Sequence, residues 1–150
     1  MEEKKDLNKI DANKSNVNKT VSNKTVTSKT KVSKETTELQ ILKKYMILLD
    51  YAHEIVRRYP QSEKFALATK TKEVGLDGIS YVIGAQKVFS KKEKLVYLNK
   101  LDINLTVQKF HMRQAYKYKY ISAQNYKTWS EHISIVCNML GAWIKVCVNQ

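Results

Sequence analysis

The sequence is poor in the residues that interrupt helices. Among 150 residues there are one proline and four glycines. Proline lacks a backbone N–H and its ring clashes with the preceding helical turn, so a helix ends before Pro60. Ser62 can cap a following helix, with Glu63 in the first turn near the positive end of its dipole. The sequence therefore predicts two helices joined by a short turn at Pro60.

Cysteine is also scarce, and the two cysteines that are present are not expected to form a disulfide. Cys137 and Cys147 lie ten residues apart, or about 15 Å along a helix, which is too far for a bond between them. Free thiols are typical of a reducing compartment. The first residues contain no apolar segment of a secretory signal, and no apolar run approaches the ~20 residues of a membrane span. We expect a cytoplasmic protein without a membrane partner.

The patterns of common catalytic and cofactor sites are missing as well. His53-Glu54 is not followed by the second histidine of a zinc protease, and the cysteines lack zinc spacing. His111 and His132 are isolated in the sequence, and we expect packed or surface histidines. Neither the Glu-x-x-His pair of di-iron bundles nor a Gly-x-x-x-x-Gly-Lys-Ser/Thr phosphate loop occurs. The sequence predicts no enzyme, no metal and no cofactor.

Positive charge is what the chain has in excess. The formal net charge is +13, which favours a polyanionic partner such as nucleic acid, an acidic protein or an anionic membrane. The alternative is a solvated basic surface on a protein from a lysine-rich genome. Residues 38–150 hold 18 of the 27 basic and nine of the 14 acidic residues, a balance of +9. The basic character is therefore not confined to the N-terminal segment.

The N-terminal segment, residues 1–37, is repetitive. Lysine recurs at every fifth position from Lys9 to Lys34, among Asn, Thr and Ser. A period of five matches neither the 3.6 of a helix nor the 2 of a strand. Because no apolar face results, we predict a disordered tail. The repeat is either an expanded short DNA tract with little selected structure or a flexible basic arm that raises nonspecific affinity for RNA or DNA.

Apolar spacing predicts four helices in residues 38–150. They run from about 38 to 59, from about 63 to 88, from Ser90 to near 117–120, and from Ser122 to about 148. Ser90, with Glu93 three residues later, has the form of a capping box for the third helix, and Ser122 can cap the fourth. The apolar seam of the fourth helix keeps three- and four-residue spacing through Tyr126, Trp129, Ile133, Val136, Leu140, Trp143 and Cys147. Such helices with short connections indicate an all-α, antiparallel up-down-up-down four-helix bundle.

The second and third predicted helices carry apolar residues on both faces, which favours an oligomer. Phe65 is assigned to the apolar side of the second helix, and Ile103 and Phe110 broaden that of the third. The second helix also holds three glycines, each weakening it by ~1 kcal/mol relative to alanine. These are Gly75, Gly78 and Gly84. We expect them to allow close approach of another helix.

The sharpest basic signal is a ridge on the third helix. Lys109, Arg113 and Lys117 are four residues apart and span about 12 Å on one face. Like charges at this spacing repel unless an anion neutralises them, so the ridge is a candidate nucleic-acid site; a solvated face is the alternative. Residues 116–120 alternate tyrosine and lysine, a mixture that can pair phosphates and stack bases. For this run, tyrosines completing the core are the favoured interpretation.

Two further candidate clusters surround the turns. The turn between the second and third helices is surrounded by Lys87, Lys91, Lys92 and Lys94. Arg57 and Arg58 precede Pro60, and Lys64 follows it. In an up-down bundle those turns lie at opposite ends. A single compact patch therefore cannot include both within one protomer.

Three segments of the chain are shared with a known family: Arg57 to Phe65, Leu101 to Arg113, and Val136 to Lys145. They resemble the Avd family, the accessory variability determinant of diversity-generating retroelements, which is related to four-helix-bundle proteins encoded in ribosomal RNA intervening sequences. The resemblance covers about 38–147. Its most specific part is the last segment, where we expect another helix to approach at Gly141 while Trp143 fills the seam.

The resemblance implies a four-helix bundle that forms a basic, barrel-like homopentamer. It implies association with a reverse transcriptase and with RNA or DNA, in support of mutagenic cDNA synthesis, without polymerase activity. The family's third-helix arginines fall on Lys109 and Arg113; lysine keeps the charge but loses bidentate phosphate geometry. The alternatives are a stand-alone structural or interaction bundle of the intervening-sequence type, or a small-ligand or membrane-surface protein. Residues 73–86 lack the segment typical of the intervening-sequence branch, which favours the Avd branch.

Overall fold

The computed structural model describes residues 25–149, with side chains from Glu38 onward, and its long elements are all helices. They are α1 (Thr25–Val56), α2 (Leu67–Lys87), α3 (Lys91–Lys117) and α4 (Ala123–Val148), with a 3₁₀ turn at Gln61–Glu63. No strand occurs within residues 25–149. The predicted all-α four-helix bundle is confirmed.

The first helix starts earlier than its apolar pattern indicates. α1 begins at Thr25, whereas the sequence predicts a start near residue 38. Once a helix has nucleated, each added residue costs little free energy, so the backbone can continue into a segment that has no apolar face. Most of the N-terminal segment lies outside the described residues, and its disorder stays a prediction.

The caps of the later helices are confirmed, but that of α2 is not. The Ser90 and Ser122 hydroxyls accept hydrogen bonds from backbone N–H groups at the starts of α3 and α4. Ser62 instead lies inside the 3₁₀ turn, and α2 begins after Ala66 without a side-chain cap. Glu63 supplies the missing acceptor, since its Oε2 lies 3.4 Å from the Leu67 amide nitrogen.

The seam predicted for α4 lies in the core of the bundle. Trp129 and Ile133 are fully buried, and the seam continues as buried residues through Val136, Leu140, Trp143 and Cys147. Tyr126, the first seam residue, is partly buried. The three- and four-residue spacing therefore predicted the buried face correctly.

α4 is also the one helix among the described residues that is long and apolar enough to cross a membrane. Core helices of bundles share this length and composition. The buried seam of α4 packs with buried residues of the other helices. The seam residues of α4 therefore have a packing role within the bundle.

A layer of hydrogen-bonded polar side chains crosses the core; we call it the polar layer. The Tyr45 hydroxyl donates to the Gly75 carbonyl at 2.8 Å. Gln108 Nε2 donates to Tyr45 Oη and to Asn104 Oδ1, each at 2.8 Å. Asn104 Nδ2 in turn donates to the Val74 carbonyl at 2.8 Å. Burial raises the pKa of Tyr45 above its ordinary value, so its hydroxyl remains a donor. The layer links α1, α2 and α3.

The glycines of α2 allow close helix packing, as predicted. A Cβ at Gly75 would lie 2.7 Å from Leu49 Cδ1, and one at Gly84 would lie 2.5 Å from Tyr97 Cε1. Real Cβ atoms essentially never come this close to a neighbour. A side chain at either position would therefore force its neighbour, Leu49 or Tyr97, to shift.

Gly141 differs from these glycines, and the helix approach predicted there is wrong for the part of the chain that the structure describes. A Cβ added at Gly141 would meet no atom of the described residues within 4 Å. The reason is its place on α4: Gly141 follows the seam residue Leu140 by about 100° around the helix. It therefore lies beside the buried face rather than on it.

Candidate nucleic-acid interface

The ridge of Lys109, Arg113 and Lys117 lies along α3. Arg113 and Lys117 are exposed and Lys109 is half-buried, while the preceding residue Gln108 and the intervening Met112 face the core. Within residues 38–149 no carboxylate forms an ion pair with the three ridge cations. The ridge therefore presents charge that the described part of the chain does not neutralise.

The turn after α1 and the turn after α3 pack against each other at one end of the bundle. The Tyr59 and Tyr120 ring centroids are 5.5 Å apart. The Tyr120 hydroxyl donates to Glu63 Oε1 at 2.9 Å, and this bond raises the pKa of Tyr120. These contacts bring together five cationic residues, which we call the basic end: Arg57, Arg58, Lys64, Lys117 and Lys119.

The candidates Arg57 and Arg58 therefore lie at the same end of the bundle as the last residue of the ridge. That residue, Lys117, is a member of both the ridge and the basic end. Arg57 forms an ion pair with Glu54 at 3.2 Å, but both side chains are more than half exposed. Exposed pairs of this kind contribute about 0–1 kcal/mol, so an anionic ligand can compete for Arg57. Arg58 is exposed.

Lys87 lies apart from the other candidates. It ends α2, and 21 residues of helix place it about 30 Å from the start of that helix. Its neighbour Lys94 is engaged inside the protein, 3.1 Å from Glu38 Oε1 and 5.5 Å from the Trp143 ring centroid. This separation agrees with the expectation that no single compact patch of one protomer includes both the cluster around Lys87 and the cluster around Pro60.

Sequence reasoning assigned to apolar or core positions two aromatic residues that are exposed at the basic end. Phe65, assigned to the apolar side of the second helix, is 85% exposed, and Tyr118 is 54% exposed. Phe65 precedes α2, so the apolar period of that helix does not apply to it. The core interpretation of the tyrosine run holds for half-buried Tyr120 but is wrong for Tyr116 and Tyr118. The tyrosine–lysine alternation was the sequence signal for aromatic residues on this surface.

The backbone between α3 and α4 adopts a conformation that normally belongs to glycine. Lys119 has φ 62°. The Tyr120 amide donates to the Ala115 carbonyl at 2.8 Å and the Lys119 amide to the Tyr116 carbonyl at 3.0 Å. This is the Schellman pattern of a helix end, with lysine at its left-handed position. The side chain at that position costs about 1 kcal/mol.

Lys119→Gly is expected to raise the free energy of unfolding by about 1 kcal/mol, because glycine adopts a positive φ without strain. Urea denaturation followed by circular dichroism measures the change. Lys117→Gly is the matched control, since it removes the same charge within a right-handed helical turn and should lower stability by up to ~1 kcal/mol. Shifts of the same sign in both variants would contradict the strain at Lys119.

His111 and His132 are packed against neighbouring side chains, in keeping with the expectation of packed or surface histidines. His111 is half-buried with its Nδ1 3.3 Å from Thr71 Oγ1, and burial lowers its pKa. The His132 ring lies 5.1 Å from that of Tyr51. Within residues 38–149 no three His, Cys, Asp or Glu side chains are grouped so as to hold a metal ion.

A groove of about 320 Å³ between α1 and α2 has a largely apolar lining that includes Leu49 and Val56.

Comparison with known proteins identifies one family. Residues 39–147 match the model of the family described as bAvd-like. The matched region contains all three segments that carry the resemblance noted in the sequence, and it begins after the repetitive N-terminal segment. No curated protein matches the chain.

Proposed function

The chain belongs to the bAvd-like family and is an accessory protein of the Avd type, and from this premise we propose that it binds a reverse transcriptase and RNA or DNA. In this role it supports mutagenic cDNA synthesis by a diversity-generating retroelement without being the polymerase. We place it in the cytoplasm, in keeping with the free thiols of Cys137 and Cys147.

The observation that carries the nucleic-acid part is the ridge that continues into the basic end. Nucleic acid presents a regular row of phosphates, and cations that neutralise them release condensed counterions. Lys109, Arg113 and Lys117 offer such a row, about 12 Å long. Arg57 and Arg58 extend the positive surface around the end of the bundle. An anion bound there relieves the mutual repulsion of the cations.

The double variant Lys109→Ala/Arg113→Ala is expected to bind structured RNA more weakly and with a flatter salt dependence. Each lost phosphate contact should reduce the slope of log K against log salt by about 1. Gel shifts at several salt concentrations measure both quantities. Lys43→Ala/Lys44→Ala is the matched control, because it removes the same charge from exposed positions on α1. Equal slopes for the two double variants would remove the ridge from the site, and no wild-type binding at low salt would refute nucleic-acid binding.

The second candidate function is a stand-alone interaction bundle without a polymerase partner. The two functions differ in gene neighbourhood: the proposal expects a reverse transcriptase gene and a template/variable repeat pair beside this gene. It also expects the tagged protein to co-purify with that reverse transcriptase. Failure to co-purify with a neighbouring reverse transcriptase would favour the stand-alone function.

We also propose that the protein assembles as a homopentamer. Its support in the fold is a row of exposed apolar residues on α3, which we call the α3 stripe: Val96, Ile103 and Phe110, which are 51%, 65% and 55% exposed. Residues seven apart lie on one face of a helix, as in helices that pack along their length. Exposed apolar rows of this kind mark interaction surfaces.

A further inference from the structure

Two aromatic rings stand out into solvent at the basic end, each beside a lysine. Phe65 is 85% exposed, and Lys64 Nζ lies 5.6 Å from its ring centroid. Tyr118 is 54% exposed, and Lys117 Nζ lies 5.9 Å from its ring centroid. Each lysine lies over one face of its ring, and an exposed ring beside a cation is suited to stack a nucleic-acid base while the cation pairs with a phosphate.

The fold holds the two rings at the same end. Tyr118 packs against Tyr120 with centroids 5.8 Å apart, and Tyr120 is bonded through its hydroxyl to Glu63 at 2.9 Å. Phe65 follows Glu63 by two residues. The left-handed backbone of Lys119 separates Tyr118 from Tyr120 and closes the turn. Both rings are therefore carried by turns that contact each other directly.

Given the proposed nucleic-acid function, on which this step rests, we infer that Phe65 and Tyr118 stack with unpaired bases of a single-stranded nucleic acid. The bases of a duplex are already stacked on one another and do not offer their faces. A single strand offers both a base face for each ring and phosphates for the surrounding lysines and arginines. Stacking accepts every base, so the site binds single strands with little sequence preference.

The experiment compares labelled oligo(dT) and oligo(U) with an abasic strand of the same length by fluorescence anisotropy. Phe65→Ala and Tyr118→Ala are each expected to weaken binding to oligo(dT) or oligo(U) about tenfold, and to leave binding to the abasic strand unchanged. Both side chains are exposed, and circular dichroism confirms that the variants fold. Phe89→Ala is the matched control, because Phe89 is fully exposed between α2 and α3 at the other end of the bundle and should have no effect.

The outcomes separate this inference from the function on which it rests. Equal affinity for base-containing and abasic strands, or no loss in either aromatic variant, would overturn stacking while leaving charge-driven binding intact. A loss as large in Phe89→Ala would also overturn it, because the effect would not belong to the basic end. Failure to bind every strand and structured RNA at low salt would refute the nucleic-acid function itself.

Discussion

Gly78→Ala is expected to lower the free energy of unfolding by about 3 kcal/mol or more, or to prevent folding. The added Cβ would collide with the Tyr45 hydroxyl and with Asn104 Oδ1. Inserting a methyl group into a packed core costs about 1–3 kcal/mol. Displacing Tyr45 would also leave buried partners in the polar layer unsatisfied, at about 1–3 kcal/mol. Both penalties act together because the same two side chains are neighbours of Gly78 and members of the polar layer.

Urea denaturation of wild type, Gly78→Ala and Gly141→Ala measures this effect. The last variant is the matched control: it makes the same chemical change in a helix but meets no atom of the described residues within 4 Å. It should be neutral or stabilising by up to about 1 kcal/mol, because alanine is the better helix former. Similar destabilisation in both variants would show that helix propensity, and not the polar layer, determines the requirement for glycine.

Ile103→Glu is expected to dissociate the oligomer. Ile103 is the central and most exposed member of the α3 stripe. In an isolated protomer the change should alter stability by only about 0.5 kcal/mol, since the side chain is on the surface. In an assembly it would bury a carboxylate without a partner, at a cost of several kcal/mol. A closed ring repeats that cost at every interface.

Light scattering should report about five times the chain mass of 17.4 kDa for wild type and a mass near one chain for Ile103→Glu. Val148→Glu is the control, because Val148 is 62% exposed at the end of α4 and lies outside the stripe. A wild-type monomer would contradict the pentamer. An oligomer that survives Ile103→Glu would contradict the role of the α3 stripe.

Periodicity predicted the features of the fold that depend on a helix having one buried face. The α4 seam is an example, because the spacing of Trp129 and Ile133 was sufficient to predict that both lie in the core. The caps Ser90 and Ser122 were predictable because each hydroxyl accepts a hydrogen bond from a backbone N–H only three residues later in the sequence. Phe65 and Ser62 were misassigned because a 3₁₀ turn delays the start of α2, and the period of a helix does not show where that helix begins.

The candidate site was predictable in part for the same reason. The four-residue spacing of Lys109 and Arg113 places them on one face of any helix. Arg57 and Lys117 lie at the same end of the bundle because two turns distant in sequence pack together through the ring contact of Tyr59 with Tyr120. No local pattern contains that contact. The positive φ of Lys119 was also hidden, because the sequence has lysine where this helix end normally has glycine.

The polar layer determines how the helices are aligned along their axes. Sliding α1 by one turn, or about 5.4 Å, would still bring apolar residues against apolar residues. It would, however, remove the Tyr45 hydroxyl from the Gly75 carbonyl and from Gln108, leaving these groups in the interior without hydrogen bonds. Polar groups buried between helices are known to specify a single alignment in this way. The layer therefore excludes shifted bundles that hydrophobic contacts alone would tolerate.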